Sequence, residues 1–435
     1  MVVTERIRLG QTSIVVFLSK IVASALGFGA TVYVARLLGA DTLGIYSLAL
    51  TVVSWVGVFG TMGITGGIRK RISEQKEPAA YAVAGVLIII ALFIVATIGI
   101  FLLREQINNY IGYPAAGYVI LMLGTTLIAN VISAILNGQH LVHIVGVLSP
   151  VHTSSRAGTQ IAAIAVGLGL AGMLGGYVIG HLVFIIIGGF VAIRNLPVLR
   201  LPQRRHIRRI LSFAKYAWLG GLKGKTFNWV DIALLGAFVS TSFVGYYTAA
   251  WNIAQFLAIF SAAVSQTMFP KMSETAADGN PEAVASLLND ALSYAGLILI
   301  PGLVGGTLLA PRILRIYSPE FTQAGIVMSV LIIATLLQSY QKQFTTTINA
   351  LDRPDIAFRV NAVFIGTNVT LNIILISIHG WTGAAVATAA SVGISLIIAY
   401  QYVSSLITFS MPTAEIGRQW LAAIGMGTAV SGVQQ

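Results

Sequence analysis

The sequence predicts an all-α integral membrane protein with about 12 transmembrane helices, possibly 13, and two properties of the chain support this. Of its 435 residues, 56% are hydrophobic and only 9% are charged, whereas soluble domains carry about a quarter charged residues. The apolar residues fall into segments of about 20, which is the length of a helix that crosses a bilayer. The chain cannot cover a water-facing surface with charge, so lipid is its expected solvent.

Twelve spans are predicted, six in each half of the chain. The first is longer than the ~7 to 15 residues of a signal-peptide core and lacks a small-residue cleavage site after it, so we predict a retained helix. A thirteenth segment begins near Ile416 and ends in polar residues at Gln435, as either an imperfect span or a truncated end. The twelve predicted spans are residues 13–35, 42–66, 80–103, 117–136, 145–168, 171–193, 213–239, 242–268, 291–310, 324–348, 358–378 and 381–407.

Lysine and arginine residues are concentrated in alternate loops of this pattern. Because cytoplasmic loops carry the excess of these residues, we predict a cytoplasmic N-terminus and a multi-pass protein of the cell (plasma) membrane. The formal net charge of +12 does not indicate nucleic-acid binding, since it is spread over short loops. The basic run at residues 204–209 is predicted to be a topology anchor that contacts anionic membrane lipid, with a specific binding site as the alternative.

Residue types that support catalysis are missing or scattered. The chain has no cysteine, which excludes disulfides and thiolate metal sites. The six histidines show no metal-ligand spacing, and no phosphate-binding loop motif is present. We therefore expect a transporter without a cofactor rather than an enzyme.

The loop after the eighth span carries a helix-start signal. Asn280 can cap a helix that has Pro281 at its first position and Glu282 just behind it. This predicts a short interfacial helix over about residues 281–288.

The two halves of the chain repeat each other in sequence. Leu-Leu-Gly-Ala occurs at residues 37–40 and again at 234–237, and further matches follow in the same order. Because six is an even number of spans, both halves start on the same side of the membrane. Parallel repeats of this kind are typical of alternating-access transporters with a substrate site between the halves, and duplication without transport is the alternative. We predict six-helix bundles at residues 1–203 and 204–412, followed by a partial thirteenth helix at 413–435.

Five charged residues fall inside predicted spans: Lys20, Arg156, Lys223, Lys225 and Asp231. A charge at the centre of a span costs on the order of 2.5–3.5 kcal/mol, so these side chains are expected to face a wet cavity or a partner. The excess of positive charge suits an anionic substrate, particularly phosphate or pyrophosphate. Arg156 could equally snorkel to the inner surface, and Asp231 could either neutralise a lysine or couple transport to an ion.

Small polar residues form stripes on several predicted spans. In the first span they share a helical face with Lys20, which indicates a wet cavity. Hydrogen bonding between helices is the alternative. The predicted polar lining consists of Ser24, Thr31, Asn252, Gln255, Gln338, Gln341 and Thr345.

The run NVTLNIILISIHGWTGAAVATAASVGISL, from Asn368, resembles the polysaccharide-biosynthesis flippases of the MOP superfamily, which include the O-antigen (Wzx-type) flippases. LLGADTLGIYSLA near the N-terminus, VGYYTAAWNIA and INALDRPDIAFRV are similar to the same family. The resemblance implies two six-helix bundles around a V-shaped cavity and alternating access. It also implies cationic cavity residues, which are matched by type and place at Lys20 and at Lys223 or Lys225. Many relatives have 14 spans, so this chain departs from them at its C-terminal end.

The resemblance implies a flippase that moves a prenyl phosphate- or pyrophosphate-linked oligosaccharide from the cytoplasmic to the outer leaflet. The expected partners are the lipid-linked oligosaccharide, anionic membrane lipid, and glycosyltransferases or a polymerase of the same pathway. The two-bundle plan needs no partner chain, so a monomer is expected. The first alternative is an ion-coupled exporter of the MATE type, with Asp231 as the coupled carboxylate, and the second is a non-transporting scaffold.

Overall fold

The computed structural model confirms the all-α prediction over the residues that it describes. Apart from short turns and connecting loops, its backbone is helical there, with one 3-10 turn at Pro319–Ala324 and no β-strand. The described backbone covers residues 2–61, 63–197 and 200–434, and the described side chains lie within 18–19, 21–58, 61, 63–197, 200–214 and 222–432.

The α-helices vary in length from a single turn to more than 50 residues. In chain order they are α1 (Val2–Thr61), α2 (Ile64–Ser73), α3 (Pro78–Leu102), α4 (Arg104–Ile111), α5 (Ala116–Gly138), α6 (Val142–Ala165), α7 (Gly169–Arg194), α8 (Arg204–Phe238), α9 (Thr241–Leu257), α10 (Ile259–Ala277), α11 (Pro281–Gly296), α12 (Leu299–Leu308), α13 (Ala310–Leu314), α14 (Gly325–Ala350), α15 (Pro354–Leu406) and α16 (Thr413–Gln434).

Two helices are too long for one crossing, and each is broken at a glycine. α1 has 60 residues and α15 has 53, whereas about 20 residues span a bilayer. Gly39 in α1 (φ 81°) and Gly380 in α15 (φ 59°) adopt positive φ, a conformation that glycine tolerates without steric cost. α15 therefore covers the predicted spans 358–378 and 381–407 to within one residue, whereas α1 covers span 13–35 and only part of span 42–66.

The chain folds back on itself at Gly380. On a straight helix, residues 20 apart would be separated by about 30 Å, yet Asn368 Nδ2 donates a hydrogen bond to Thr388 Oγ1 at 3.1 Å. A Cβ on Gly383 would lie 2.0 Å from the carbonyl oxygen of Leu375. The two halves of α15 therefore pack side by side, with backbone against backbone near the turn.

The predicted number of spans is not confirmed by length and hydropathy. Among the described residues, seven helices are long and apolar enough to cross a membrane, or eight if the bent pair α9 and α10 forms one span. This criterion treats α1 and α15 as one span each. α6 and α8 are not among these helices.

The cap at Asn280 is confirmed, but the helix that follows is longer than predicted. Asn280 Oδ1 accepts a hydrogen bond from the backbone N–H of Ala283 at 3.0 Å. α11 continues to Gly296 instead of ending near residue 288. The reason is a buried apolar face that recurs every three or four residues and keeps the helix packed beyond that point. It consists of Val284, Leu288, Ala291, Leu292 and Ala295.

The helices form two compact units, Met1–Lys225 and Thr226–Gln435. In the first unit α6 packs against α7 and α1, and α5 packs against α7. In the second unit α14 packs along α15, α9 and α10, and α16 packs against α12. Among the described residues, each unit has buried apolar side chains and a cluster of polar side chains around a charged residue.

Candidate functional site

The polar cluster of the first unit is built around Arg156, at the point where α6 meets α7 and α1. A Cβ on Gly180 of α7 would lie 2.7 Å from the Cβ of Arg156, and a Cβ on Gly27 of α1 would lie 3.4 Å from a terminal guanidinium nitrogen. The stem of Arg156 therefore rests on the backbone of α7 and its guanidinium reaches α1. Glycine at these two positions leaves the space that the arginine occupies.

The charge of Arg156 is not neutralised within the described part of the chain. Its Nε atom is buried and has no hydrogen-bond acceptor. None of the acidic side chains that the structure describes forms an ion pair with it. A half-buried guanidinium without a carboxylate partner is suited to bind an anion, because it presents a rigid fork of donors.

Two histidines and a tyrosine extend this cluster, and sequence reasoning missed them. His152 Nε2 lies 3.2 Å from His181 Nδ1, and His181 Nδ1 lies 3.0 Å from the carbonyl oxygen of Tyr177. The Tyr177 hydroxyl lies 3.1 Å from Thr126 Oγ1. The available signal was local, since His152 precedes Arg156 by four residues and Tyr177 precedes His181 by four, but periodicity does not reveal that the two helices face each other.

The predicted cationic residues of the other helices are only partly described. Lys225 Nζ donates a hydrogen bond to Ser54 Oγ of α1 at 2.9 Å, and Lys223 is half-buried. Lys20 lies outside the residues whose side chains the structure describes. On the same helix Ser24 and Thr31 are half-buried, and Thr31 Oγ1 donates to the carbonyl oxygen of Gly27 at 2.8 Å. The polar face of α1 therefore meets Arg156 at Gly27.

The polar cluster of the second unit surrounds the carboxylate of Asp231, which is 4% exposed. Thr388 Oγ1 donates to its Oδ2 at 2.6 Å, Asn372 Nδ2 donates to its Oδ1 at 2.9 Å, and the Tyr247 hydroxyl also donates to Oδ2. Hydrogen bonds to a charged acceptor are about twice as strong as neutral ones. Asp231 on α8 is therefore held by α9 and by both halves of α15.

The same cluster contains oxygen atoms that lack a donor. The side-chain Oδ1 atoms of Asn368 and Asn372 are buried and accept no hydrogen bond in the described structure. Each such atom costs about 1–3 kcal/mol when it is left unsatisfied. The cluster therefore contains buried carboxylate and amide oxygens, which are the ligand type that hard cations prefer.

Of the predicted polar lining on α9 and α14, Gln341 and Thr345 are buried. Gln341 Nε2 donates to Ser395 Oγ of α15 at 3.2 Å, and Thr345 Oγ1 donates to the carbonyl of Gln341 at 2.6 Å. These contacts are hydrogen bonds within and between helices, as the alternative interpretation described. Asn252, Gln255 and Gln338 are half-buried, and Gln255 Nε2 has no acceptor among the described residues.

The basic run at residues 204–209 is partly tied to the first unit by Glu77. Arg205 Nη2 lies 2.8 Å from Glu77 Oε1, and the buried His206 Nε2 lies 3.0 Å from Glu77 Oε2. The His206 Nδ1 atom accepts the backbone N–H of Gln203 at 2.9 Å, so the ring proton is on Nε2 and is donated to Glu77. This hydrogen bond, with the charge of Arg205, lowers the pKa of Glu77 below its ordinary value.

Comparison with known proteins identifies the family. A family model described as "Polysaccharide biosynthesis protein" matches residues 33–325, more than half of the chain. The chain belongs to this family. The resemblance to polysaccharide-biosynthesis flippases that the sequence motifs suggest is thereby confirmed.

Individual relatives agree with this assignment. The chain is 29% identical to the "Probable flippase AglR" of Haloferax volcanii over 424 residues, which cover 94% of this chain and 88% of that relative. Among solved structures, "Lipid II flippase MurJ, inward closed conformation" matches with a TM-score of 0.81 at 17% identity, covering 97% of this chain and 93% of that one. An inward-facing MATE multidrug resistance transporter of the MOP superfamily matches with a TM-score of 0.65 at 15% identity, covering 90% and 94% of the two chains.

These similarities confirm three predictions. The chain has the fold of MOP-type transporters, it is a multi-pass membrane protein, and it is a transporter rather than an enzyme.

Proposed function

We propose that this polysaccharide biosynthesis protein is a flippase that moves a prenyl phosphate- or pyrophosphate-linked oligosaccharide from the cytoplasmic to the outer leaflet. The observation that carries the proposal is Arg156, a cation held inside the first helical unit without an acidic partner in the described structure. A lipid-linked phosphate supplies the negative charge that such a residue lacks. The flippases among the similar proteins support the same substrate class.

The phosphate headgroup is proposed to bind a set of cationic side chains: Lys20, Arg156, Lys223 and Lys225. The sugars would then hydrogen-bond to the polar stripes that include Ser24, Thr31, Asn252 and Gln338, while the prenyl chain remains in lipid. Alternating movement of two helical bundles would carry the headgroup across without exposing its charge to hydrocarbon. We place the protein in the plasma membrane with its N-terminus in the cytoplasm, on the distribution of lysine and arginine among the loops.

The Asp231 cluster is proposed to bind the ion that drives transport. Its carboxylate and the two donor-free amide oxygens of Asn368 and Asn372 suit a sodium ion, and a proton on the carboxylate is the other way to neutralise the buried charge. The same cluster favours the second candidate function, an exporter of the MATE type that is coupled to an ion gradient. A buried carboxylate is compatible with either activity, so the substrate must be tested directly.

The test uses proteoliposomes that contain a fluorescent prenyl-pyrophosphoryl sugar, whose transfer between leaflets is followed by chemical quenching. We expect the wild type to flip the lipid and Arg156→Gln to lower the rate at least about tenfold, since a loss of about 1.4 kcal/mol in binding already has this effect. Arg194→Gln, which removes an exposed arginine at the end of α7, is the matched control and should flip at the wild-type rate.

Two results would contradict the proposal in different ways. Equal flipping by the wild type and Arg156→Gln would remove Arg156 from the headgroup site. No flipping by the wild type, together with accumulation of a cationic dye under a sodium or proton gradient, would replace the flippase with the exporter.

A further inference from the structure

His152 and His181 form a pair of imidazoles beside Arg156, with a hydrogen-bonding arrangement that can be read from the distances. The Tyr177 carbonyl can only accept, and it lies 3.0 Å from His181 Nδ1. His181 therefore carries a proton on Nδ1, and His152 Nε2, at 3.2 Å from the same atom, can only accept it. His152 then has its own proton on Nδ1, so the His152 ring is neutral in this arrangement.

The surroundings of the pair oppose a positive charge on it. Among the described residues, the charged and titratable groups next to it are Arg156 on α6 and Tyr177 on α7. α5 contributes the uncharged hydroxyl of Thr126. A second positive charge on the pair would repel the nearby guanidinium, and a proton on His152 Nε2 would point at the N–H of His181.

We propose that the His152–His181 pair takes up a proton from water when an anionic phosphate group binds at Arg156. This inference rests on the proposed function, because it assumes that Arg156 receives the headgroup. A pyrophosphate linkage carries more negative charge than one guanidinium neutralises. The bound anion removes the repulsion by Arg156, so His152 can hold protons on both ring nitrogens, separate from His181 and donate its Nε2–H to a phosphate oxygen.

The consequence is that headgroup binding and proton binding are coupled at one site. The anion binds more tightly as the pH falls, and it releases the proton when it leaves. No covalent bond changes, and the proton is exchanged with water in both directions. Linkage requires that the uptake of one proton tighten binding by up to about tenfold for each unit of decrease in pH.

The experiment is calorimetric titration of the full chain in detergent micelles between pH 6 and 8. One probe is a farnesyl-pyrophosphoryl sugar, a diester that does not titrate in this range, and the other is inorganic sulfate as a free anion. Repeating each titration in buffers with different heats of ionisation measures the protons taken up. We expect uptake by the wild type with the lipid-linked probe, and uptake with sulfate as well if a free anion suffices.

His152→Gln keeps a polar side chain but cannot take up the proton, so it should bind with wild-type affinity at pH 8 and show little gain at pH 6. His143→Gln is the matched control, because His143 is exposed on the same helix, and it should keep the full pH dependence. An equal loss of affinity at pH 6 and pH 8 in His152→Gln would mean that the histidine is only structural, and the proposal would fail. It would also fail if the wild type bound the lipid-linked probe with the same affinity across the pH range, or if His152→Gln kept the full pH dependence of the wild type.

The outcome is separable from that of the proposed function. Proton-coupled binding without flipping would contradict the flippase and leave the histidine pair in place. Flipping without proton uptake would support the flippase and contradict the proposed proton uptake by the histidine pair.

Discussion

Thr388 donates a 2.6 Å hydrogen bond to the carboxylate of Asp231, although the two residues are 157 positions apart in the chain. Both side chains are buried. The bond connects α8 to the second half of α15, and the fold of α15 at Gly380 also brings Asn368 and Asn372 to the same carboxylate. One acidic residue therefore organises three segments of the second unit.

Replacing Asp231 by asparagine tests whether this cluster binds the coupling ion. Asp231→Asn keeps the shape of the side chain but removes its charge, so the variant should lose the dependence of transport on a sodium or proton gradient. The measurement is the flipping rate in proteoliposomes with and without each gradient. Asp290→Asn, which changes an exposed acid on α11, should respond to the gradient like the wild type. An unchanged gradient dependence in Asp231→Asn would show that the ion binds elsewhere.

Replacing Thr388 by valine tests the structural role of the same hydrogen bond. The substitution removes the donor to Asp231 and leaves a buried carboxylate with one partner fewer, so the free energy of unfolding should fall by about 1–3 kcal/mol. Thermal unfolding in detergent measures the loss. Thr388→Ser retains the hydroxyl and should recover most of the stability, whereas equal stability of all three proteins would show that the bond contributes nothing.

The sequence reveals these features to different degrees, for physical reasons. Asp231 and Arg156 can be found from the sequence because a charge inside an apolar span is costly wherever it points. The partners Tyr247, Asn372 and His181 cannot, because they lie on other helices, and the periodicity of one helix does not specify which helix packs against it. The end of α11 could not be predicted for a related reason. The start signal at Asn280 is local, whereas the point at which the helix ends depends on which of its side chains are buried.

Glycine at position 180 is predicted to be necessary for the Arg156 site. The methyl group of Gly180→Ala would lie 2.7 Å from the Cβ of Arg156 and 3.1 Å from the carbonyl oxygen of His152, so α6 must move away from α7. We expect a loss of about 1–3 kcal/mol in stability from overpacking and a reduced flipping rate.

Gly175→Ala is the control for this substitution on the same helix. A Cβ on Gly175 meets nothing within 4 Å, and alanine is favoured over glycine in a helix by up to about 1 kcal/mol. This variant should therefore be as stable as the wild type or slightly more so. If Gly180→Ala behaves in the same way, the close contact between α6 and α7 does not position Arg156.

The ion pair of Glu77 with Arg205, together with its hydrogen bond from His206, predicts a stability change at acidic pH. Hydrogen bonding from His206 and the charge of Arg205 lower the pKa of Glu77 below its ordinary 4.5. A depressed carboxyl pKa adds stability that is complete above the unfolded-state value and is lost as the pH falls through the folded-state value. The difference in melting temperature between the wild type and Glu77→Gln should thus be constant above about pH 5 and shrink toward pH 3.

The control is Glu282→Gln, at an exposed acid in the first turn of α11, which should differ little from the wild type at any of these pH values. The contribution of Glu77 is expected to be small, because its partner Arg205 is 53% exposed and solvent screens exposed pairs. A difference in melting temperature between the wild type and Glu77→Gln that grows as the pH falls would contradict this prediction. It would show that Glu77 is held against the start of α8 by contacts other than its charge.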